Sequence, residues 1–395
     1  MKIFISIFRL YKIGGIESSL INLINEINDS HDITLCVLTD VINSEFILPQ
    51  VNIIRGSRTL RDSFIARDSL KQQSIVEKLI RNFRRLIKRM LGSFFVINCN
   101  LKKIKIDDEY DVAIAFINDT YTSNGQFISG GDYDFVSRYI KAKKKIAWIH
   151  GDPYQEGLTY GICKTVFSPF DSIINVSYSC KDQFDKIIPN YINKSFVVYN
   201  MYNIDRINAL SIEYNPYQHY IKRLHFVTVT RIDNKSKRID RIIKVCNNLI
   251  KSGFTNFDWT VVGEGPDFRE MNQMVLDKNL SDIIIMKGAE YNPYPYMKYA
   301  DLYISTSVFE SFGMSVREAQ ILNCPVLITN VSPSNELVDK TLTGIICENS
   351  TSGIYNSIVE ILKNTDILSN IRNYLNDHPF TNKVSVKQFN ALIEK

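Results

Sequence analysis

No stretch of this 395-residue chain is long and apolar enough to cross a bilayer. A spanning helix needs roughly 20 apolar residues in a row, and the longest mainly apolar runs, such as residues 3–8, stop far short. The opening MKIFISIFRLYK meets Arg9 too early for a signal-peptide core, so it reads as a first β-strand. Paired cysteines are lacking too. The seven (Cys36, Cys99, Cys163, Cys180, Cys246, Cys324 and Cys347) are scattered, and none has a partner at metal-ligand or redox spacing. An odd count without a signal peptide suits a reducing cytosol, which makes most of them small core residues. No His/Cys/Asp cluster has ligand spacing. No internal repeat or low-complexity tract occurs, and at 45% hydrophobic and 23% charged residues the composition excludes disorder.

What is present is alternation. Short β-branched runs at 2–8, 32–38, 111–116, 145–149, 171–176 and 195–199 are separated by helical periods. The pattern resumes with runs at 224–230, 258–263, 283–286, 302–306 and 325–329. Apolar strands between amphipathic helices imply parallel sheets covered on both faces. The length asks for two domains, and the alternation lapses near 205–222. The expected division is therefore 1–210, 211–378 and a terminal helix over 379–395 that packs back on the first domain. In such sheets ligands bind beyond the carboxyl ends of the strands, so the strand-to-helix loops carry the search for chemistry.

Four loops stand out. In the first, Gly14 and Gly15 open a helix after the first strand. They either let backbone N–H groups approach a diphosphate or only supply a tight turn. In the second, Arg231 and Lys237 follow strand 224–230, where fixed positive charge suits a departing diphosphate; the bland alternative is a solvated basic loop. The third, 262–266 (VGEGP), is a glycine turn with either reading open. The fourth, 307–319, holds Glu310, Ser311, Phe312, Gly313 and Glu318 at the start of a helix. Free N–H groups there can hold phosphate or hydroxyls. A helical rise over eight residues would set the two carboxylates roughly 12 Å apart.

An ordered series of segments carries a family likeness: GGIE at 14–17, WIH at 148–150, VYN at 198–200 with Asp205, TRIDNKSKRID at 230–240, VVGEGP at 261–266, ADLYISTSVFESFGMSVREA at 300–319 and CPVLITNVSPSNELV at 324–338. With these the chain resembles the large retaining family of GT-B glycosyltransferases, the fourth in the usual numbering. The resemblance implies two Rossmann-like, doubly wound parallel-sheet domains facing a cleft. It implies that Arg231 and Lys237 meet a leaving diphosphate, Glu318 a ribose, Glu310 the donor sugar, Gly14 and Gly15 the phosphates, and His150 the donor sugar. Catalysis would then fall to Glu310, His150, Lys237 and Arg231. The chain departs from the family at Arg238 and Cys324, where glycines are frequent. No cofactor and no metal are expected; Asp132-Tyr133-Asp134 is the one sequence that reads as a metal motif of another glycosyltransferase fold.

The implied activity is transfer of a hexose-type sugar from a nucleotide diphosphate donor, with a UDP-sugar expected, to a glycan or lipid-linked acceptor in surface polysaccharide synthesis. A non-catalytic GT-B partner subunit is the alternative. A Rossmann oxidoreductase is excluded because G-x-G-x-x-G is missing after the first strand. One further feature is charge. Between residues 55 and 105 stand fourteen Lys and Arg against Asp62, Asp68 and Glu77, in a chain whose net charge is only +5. Within it, 70–91 has Arg81, Arg84, Arg85, Lys88 and Arg89 alongside a helical apolar stripe. This amphipathic helix is expected to dock on an anionic membrane, making a cytoplasmic protein peripheral to the inner face of the cell membrane. The rival reading packs the stripe on the domain and leaves a solvated basic face. Nucleic acid is not an expected partner, since no aromatic platform accompanies the charge.

Overall fold

The structure, a computed structural model, describes residues 1–10, 14–43, 50–65, 74–122, 127–218, 223–310, 312–338 and 342–394. The chain divides into two compact units. One comprises Met1–Tyr202 and Asn382–Lys395, the other Asn203–Thr381. The boundary thus falls ahead of the expected 210. Helix Ile204–Ser211, which carries Asp205, belongs to the second unit, and Asn203 caps it by accepting from the Arg206 N–H.

In the first unit, β1 (Lys2–Ile7), β2 (Asp32–Val37), β3 (Asn52–Arg55), β4 (Glu109–Ala115), a short antiparallel hairpin of β5 (Thr120–Tyr121) and β6 (Phe127–Ser129), β7 (Lys141–Ile149), β8 (Ser172–Asn175) and β9 (Ser195–Val197) follow in chain order. All but the hairpin form one parallel sheet in the order β3-β2-β1-β4-β7-β8-β9. β1 and β2 are buried over nearly their whole length because helices cover both faces, which is why their sequences are continuously apolar. The last helix, Lys383–Ile393, closes this unit. Lys144 donates to the Leu392 carbonyl, the Tyr199 N–H to Gln388 Oε1 at 3.1 Å, and Phe389 stacks 6.2 Å from Trp148.

The second unit carries β10 (Leu224–Val229), β11 (Phe257–Val262), β12 (Ile284–Gly288), β13 (Leu302–Ser305), β14 (Val326–Thr329) and β15 (Ile345–Cys347), parallel throughout in the order β12-β11-β10-β13-β14-β15. This is the doubly wound order 3-2-1-4-5-6. Trp259, Phe226 and Ile304 sit at its core, with the fully buried Ile239, Ile242 and Ile243 of helix Ile239–Lys251 packed on the sheet. Both units therefore reverse winding once, between β1 and β4 and between β10 and β13. Loops leaving the carboxyl ends of those strands are where such a sheet holds a ligand. No helix among the described residues is long and apolar enough to cross a membrane.

Candidate functional site

The two loops at the second unit's reversal point are tied together. After β10 the chain passes Arg231, turns at Asp233 and forms one helical turn, Asn234–Lys237. Asp233 caps that turn by accepting from the Lys235 N–H at 3.1 Å. After β13 the chain runs through Thr306 to Glu310. Thr306 donates its hydroxyl to the Lys237 carbonyl at 2.8 Å, and the Val308 N–H bonds the Ser236 carbonyl at 2.8 Å. These bonds bring Lys237 Nζ to 2.7 Å from Glu310 Oε1, which also accepts the Ser307 hydroxyl at 2.7 Å. Arg231 lies exposed on the first loop, without a side-chain partner among the described residues. A paired lysine and carboxylate thus meet at one strand-end crevice, with an exposed guanidinium on the same loop. Such a set can take a phosphate on its cations and sugar hydroxyls on its carboxylate.

The helix after Glu310 starts later than its sequence suggests. It spans Met314–Ile321 with Gly313 as N-cap, so Phe312 and Gly313 precede the first turn. Glu318 consequently lies four residues into the helix while Glu310 stays in the loop, and the 12 Å helical separation does not apply. Gly313 has φ of 89°, a conformation that favours glycine, and a Cβ there would sit tightly at 3.0 Å from the Ser334 Cβ. Phe312 is buried, which leaves only its backbone to offer a ligand. Ser311 lies outside the described residues. Glu318 is partly buried, and burial pushes its carboxyl up to about 7, while the Tyr294 hydroxyl, 3.5 Å from Oε1, acts the other way. Tyr294 had no signal in the sequence; helix Tyr294–Lys298 brings it there only through packing. The same holds for Tyr303, whose hydroxyl donates 2.8 Å to Ser315 Oγ across the start of the helix.

The turn at 262–266 has a packing role. A Cβ on Gly263 would lie 1.8 Å from the Thr230 carbonyl oxygen, and one on Gly265 2.2 Å from that of Ile232. The Ile232 N–H bonds the Glu264 carbonyl at 3.0 Å. These glycines let the 262–266 turn support the Arg231 loop from behind. Arg238, where the family often has glycine, adopts the left-handed conformation at φ 53° and ψ 50°. Its guanidinium grips Asp240 with two bonds of 2.8 and 3.1 Å. That pairing offsets part of the roughly 1–2 kcal/mol a side chain loses in that conformation.

In the first unit Gly14 is the N-cap and Gly15 the first residue of helix Gly15–Ile27, after β1; residues 11–13 of that loop lie outside the described residues. His150 follows β7. Its ring stacks on Trp148 (centroids 5.6 Å, planes 6° apart) and lies 4.5 Å from Phe116. Burial lowers its pKa to about 3, against a hydrogen bond to the Phe116 backbone, so the imidazole is neutral at pH 7. Its Nε2 is buried without a hydrogen-bond partner among the described residues. That atom suits a neutral contact to a hydroxyl, not a general base working near pH 7.

Asp132 and Asp134 serve separate neighbours. Asp132 is fully buried and accepts the Ser6 hydroxyl at 2.6 Å, with its pKa raised to about 8 by burial. Asp134 pairs with Arg138 at 3.2 Å. Among the described residues no group of three or more His, Cys, Asp or Glu is placed to hold a metal ion.

The basic helix reverses expectation. It spans Ile75–Leu91 behind a Ser74/Glu77 capping box; residues 70–73 lie outside the described residues. Its arginines face inward. Buried Arg81 and partly buried Arg85 both donate to the Ile65 carbonyl, at 2.8 and 2.7 Å. Arg84 meets Asp62 at 2.6 Å and Lys88 lies over the Phe64 ring at 3.9 Å. Ile65 caps the carboxyl end of helix Arg58–Phe64, where unpaired carbonyls and the helix dipole attract cations. Of the five expected docking residues, four are thus engaged in packing and Arg89 is exposed. What faces out is the apolar stripe: Ile75, Val76, Leu79, Phe83, Leu86 and Met90, continued by Phe94 and Phe95.

Two doubly wound sheets, with a cation–carboxylate pair at the reversal of the second, define a GT-B architecture. The solved structure of Anabaena HepE in complex with UDP and glucose superposes with a TM-score of 0.66 at 15% identity, covering 100% of both chains. Residues 215–377, nearly the whole second unit, match the family described as Glycosyl transferases group 1. An uncharacterized glycosyltransferase of Methanocaldococcus jannaschii is 23% identical over 66% of this chain. The poly(ribitol-phosphate) alpha-N-acetylglucosaminyltransferase of Staphylococcus aureus is 26% identical over 46%. The matches span 66% and 38% of those two relatives' lengths.

Proposed function

We propose that this chain is an active, retaining, metal-independent glycosyltransferase that moves a hexose-type sugar from a UDP-sugar to a glycan or lipid-linked acceptor in surface polysaccharide synthesis. The observation that carries the reading is the Lys237–Glu310 pair at the β10/β13 reversal, with Arg231 exposed on the same loop as Lys237. A noncatalytic subunit has no need to keep a cation, a carboxylate and a capped turn in register. Arg231 and Lys237 are given the leaving diphosphate, whose charge they neutralise in place of a divalent ion. Glu310 accepts donor-sugar hydroxyls once the diphosphate draws Lys237 away, and Glu318 accepts the ribose hydroxyls. Gly14, Gly15 and His150 of the first unit keep the phosphate and sugar contacts that the family resemblance implies. HepE, seen with UDP and glucose, and the relative named as a poly(ribitol-phosphate) alpha-N-acetylglucosaminyltransferase support the donor and acceptor classes.

The test is a donor panel read by nucleotide release, with and without excess EDTA. Turnover of one UDP-sugar should persist in EDTA. Lys237→Ala should lower kcat/KM at least ~100-fold, about 2.7 kcal/mol of transition-state stabilisation, in a natively folded protein. Near-normal turnover of that variant would remove the assignment.

A second reading concerns place of work. Exposed cations accompany the outward stripe: Lys78 and Arg89 on helix Ile75–Leu91 itself, and Lys102, Lys103 and Lys105 just after the following helix Ser93–Leu101. An exposed apolar face in a basic segment suits the boundary of an anionic bilayer, where acyl chains take the stripe and headgroups the cations. The chain is therefore proposed to dock on such a membrane by its apolar face, with Arg81, Arg84, Arg85 and Lys88 holding the helix to the protein.

A further inference from the structure

Outside the donor loops the first unit contains a cavity of about 540 Å³, well inside the roughly 300–1,000 Å³ of small-molecule sites. Helices Asp132–Tyr139 and Tyr160–Val166, the β5–β6 hairpin and Phe94 enclose it. We propose that this cavity is a second sugar-binding site, which holds one unit of the acceptor glycan apart from the sugar being transferred. The proposal rests on the glycan acceptor named above.

The walls have the chemistry of carbohydrate recognition. Phe94, Phe127 and Tyr121 form a continuous aromatic wall, Phe127 meeting Phe94 edge-on at 5.9 Å and Tyr121 at 5.8 Å. Aromatic faces take the C–H faces of a pyranose, a large apolar area with one polar handle on the tyrosine. Planar polar groups line the same cavity. Asp134 is partly buried and paired with Arg138 at the cavity edge. Asp119 is buried at the base, its Oδ1 fixed by the Gly131 N–H at 2.6 Å. Burial holds the Asp119 carboxyl well above the usual carboxylate range. Polar side chains and aromatic rings lining one cavity match the alternating hydroxyls and C–H faces of a sugar.

Other occupants fit worse. A phosphate would meet two acidic side chains and a guanidinium already paired. An acyl chain would strip water from the Asp134–Arg138 pair without replacing its hydrogen bonds.

Gly161 provides a clean block. It lines the cavity, and a Cβ there meets no atom within 4 Å, so Gly161→Trp fills the space without removing a contact. The experiment measures binding of maltose, cellobiose and N-acetylglucosamine by saturation-transfer NMR, with UDP present at saturation, and UDP binding separately by calorimetry. Wild type should bind at least one of the sugars. Gly161→Trp and Asp134→Ala should each weaken that binding at least tenfold while UDP affinity is unchanged. Sugar binding unaltered in both variants, or none in wild type, overturns the proposal. Loss of sugar binding in Lys237→Ala but not in Gly161→Trp also overturns it, placing the sugar at the donor loops. UDP binding that fails in wild type while Gly161→Trp still abolishes sugar binding would sink the transferase reading and leave the cavity as a sugar site.

Discussion

Replacing Leu79, Phe83, Leu86 and Met90 together by Ser tests the docking face most directly. These side chains are 51–74% exposed, so half or more of each is available to a bilayer. Full burial of such a side chain is worth about 1.5–3 kcal/mol, so the four offer about 4–8 kcal/mol on insertion. A tenfold change in partitioning corresponds to about 1.4 kcal/mol. Even with incomplete insertion, binding to vesicles containing phosphatidylglycerol should fall at least ~100-fold. Folding should be little affected, because half or more of each removed side chain is already in water. Arg81→Ala gives the opposite result. It deletes a buried donor to the Ile65 carbonyl, a charged hydrogen bond worth about 1.5–3 kcal/mol. At roughly 2–4 °C per kcal/mol for a unit of this size, Tm should drop by several degrees, with vesicle binding retained by the folded fraction. Cosedimentation separates the cases. If the quadruple variant sediments with vesicles as wild type does, the apolar face is not the docking surface. If Arg81→Ala keeps its Tm and loses binding, the charges dock and the inward packing is wrong.

Three further outcomes follow from the site and the sheets. Glu318, pushed up to about 7 by burial, must be ionised to accept two ribose hydroxyls; donor affinity should rise about tenfold from pH 6 to 8 and level off above, and Glu318→Gln should flatten the curve in calorimetric titrations. Asp132, raised to about 8, binds its proton more tightly folded than unfolded. Its contribution is fully present below about pH 4 and is lost as pH rises towards 8, so urea midpoints should fall over that window in wild type and fall less in Asp132→Asn. At Arg238, glycine relieves the left-handed strain but loses the Asp240 pair. Arg238→Gly should therefore leave stability within about 1 kcal/mol, while Arg238→Val should lose about 1–2 kcal/mol in thermal melts.

What the sequence determined by itself was whatever depends on short-range pattern. The two parallel sheets were legible because strands covered on both faces must be continuously apolar, and eleven runs of that kind alternate with helical periods. The strand-end loops were legible for the same reason, since a doubly wound sheet has few places for a ligand. The edge strands Asn52–Arg55 and Ile345–Cys347 and the β5–β6 hairpin were not, because strands of two to four residues leave little pattern; the equally short Ser195–Val197 was read only because its β-branched and aromatic run continues to Tyr199. Tertiary structure alone decided which side chains meet. It paired Lys237 with Glu310 across 73 positions of sequence through the Thr306 bond to the Lys237 carbonyl. It also started the following helix at Met314, because Gly313 can take a left-handed turn that other residues resist. The basic helix shows the limit most plainly. Its periodicity separates an arginine face from an apolar face, yet carries no sign of which one turns inward. The unpaired carbonyl at Ile65 decided that, by offering two arginines a better partner than water.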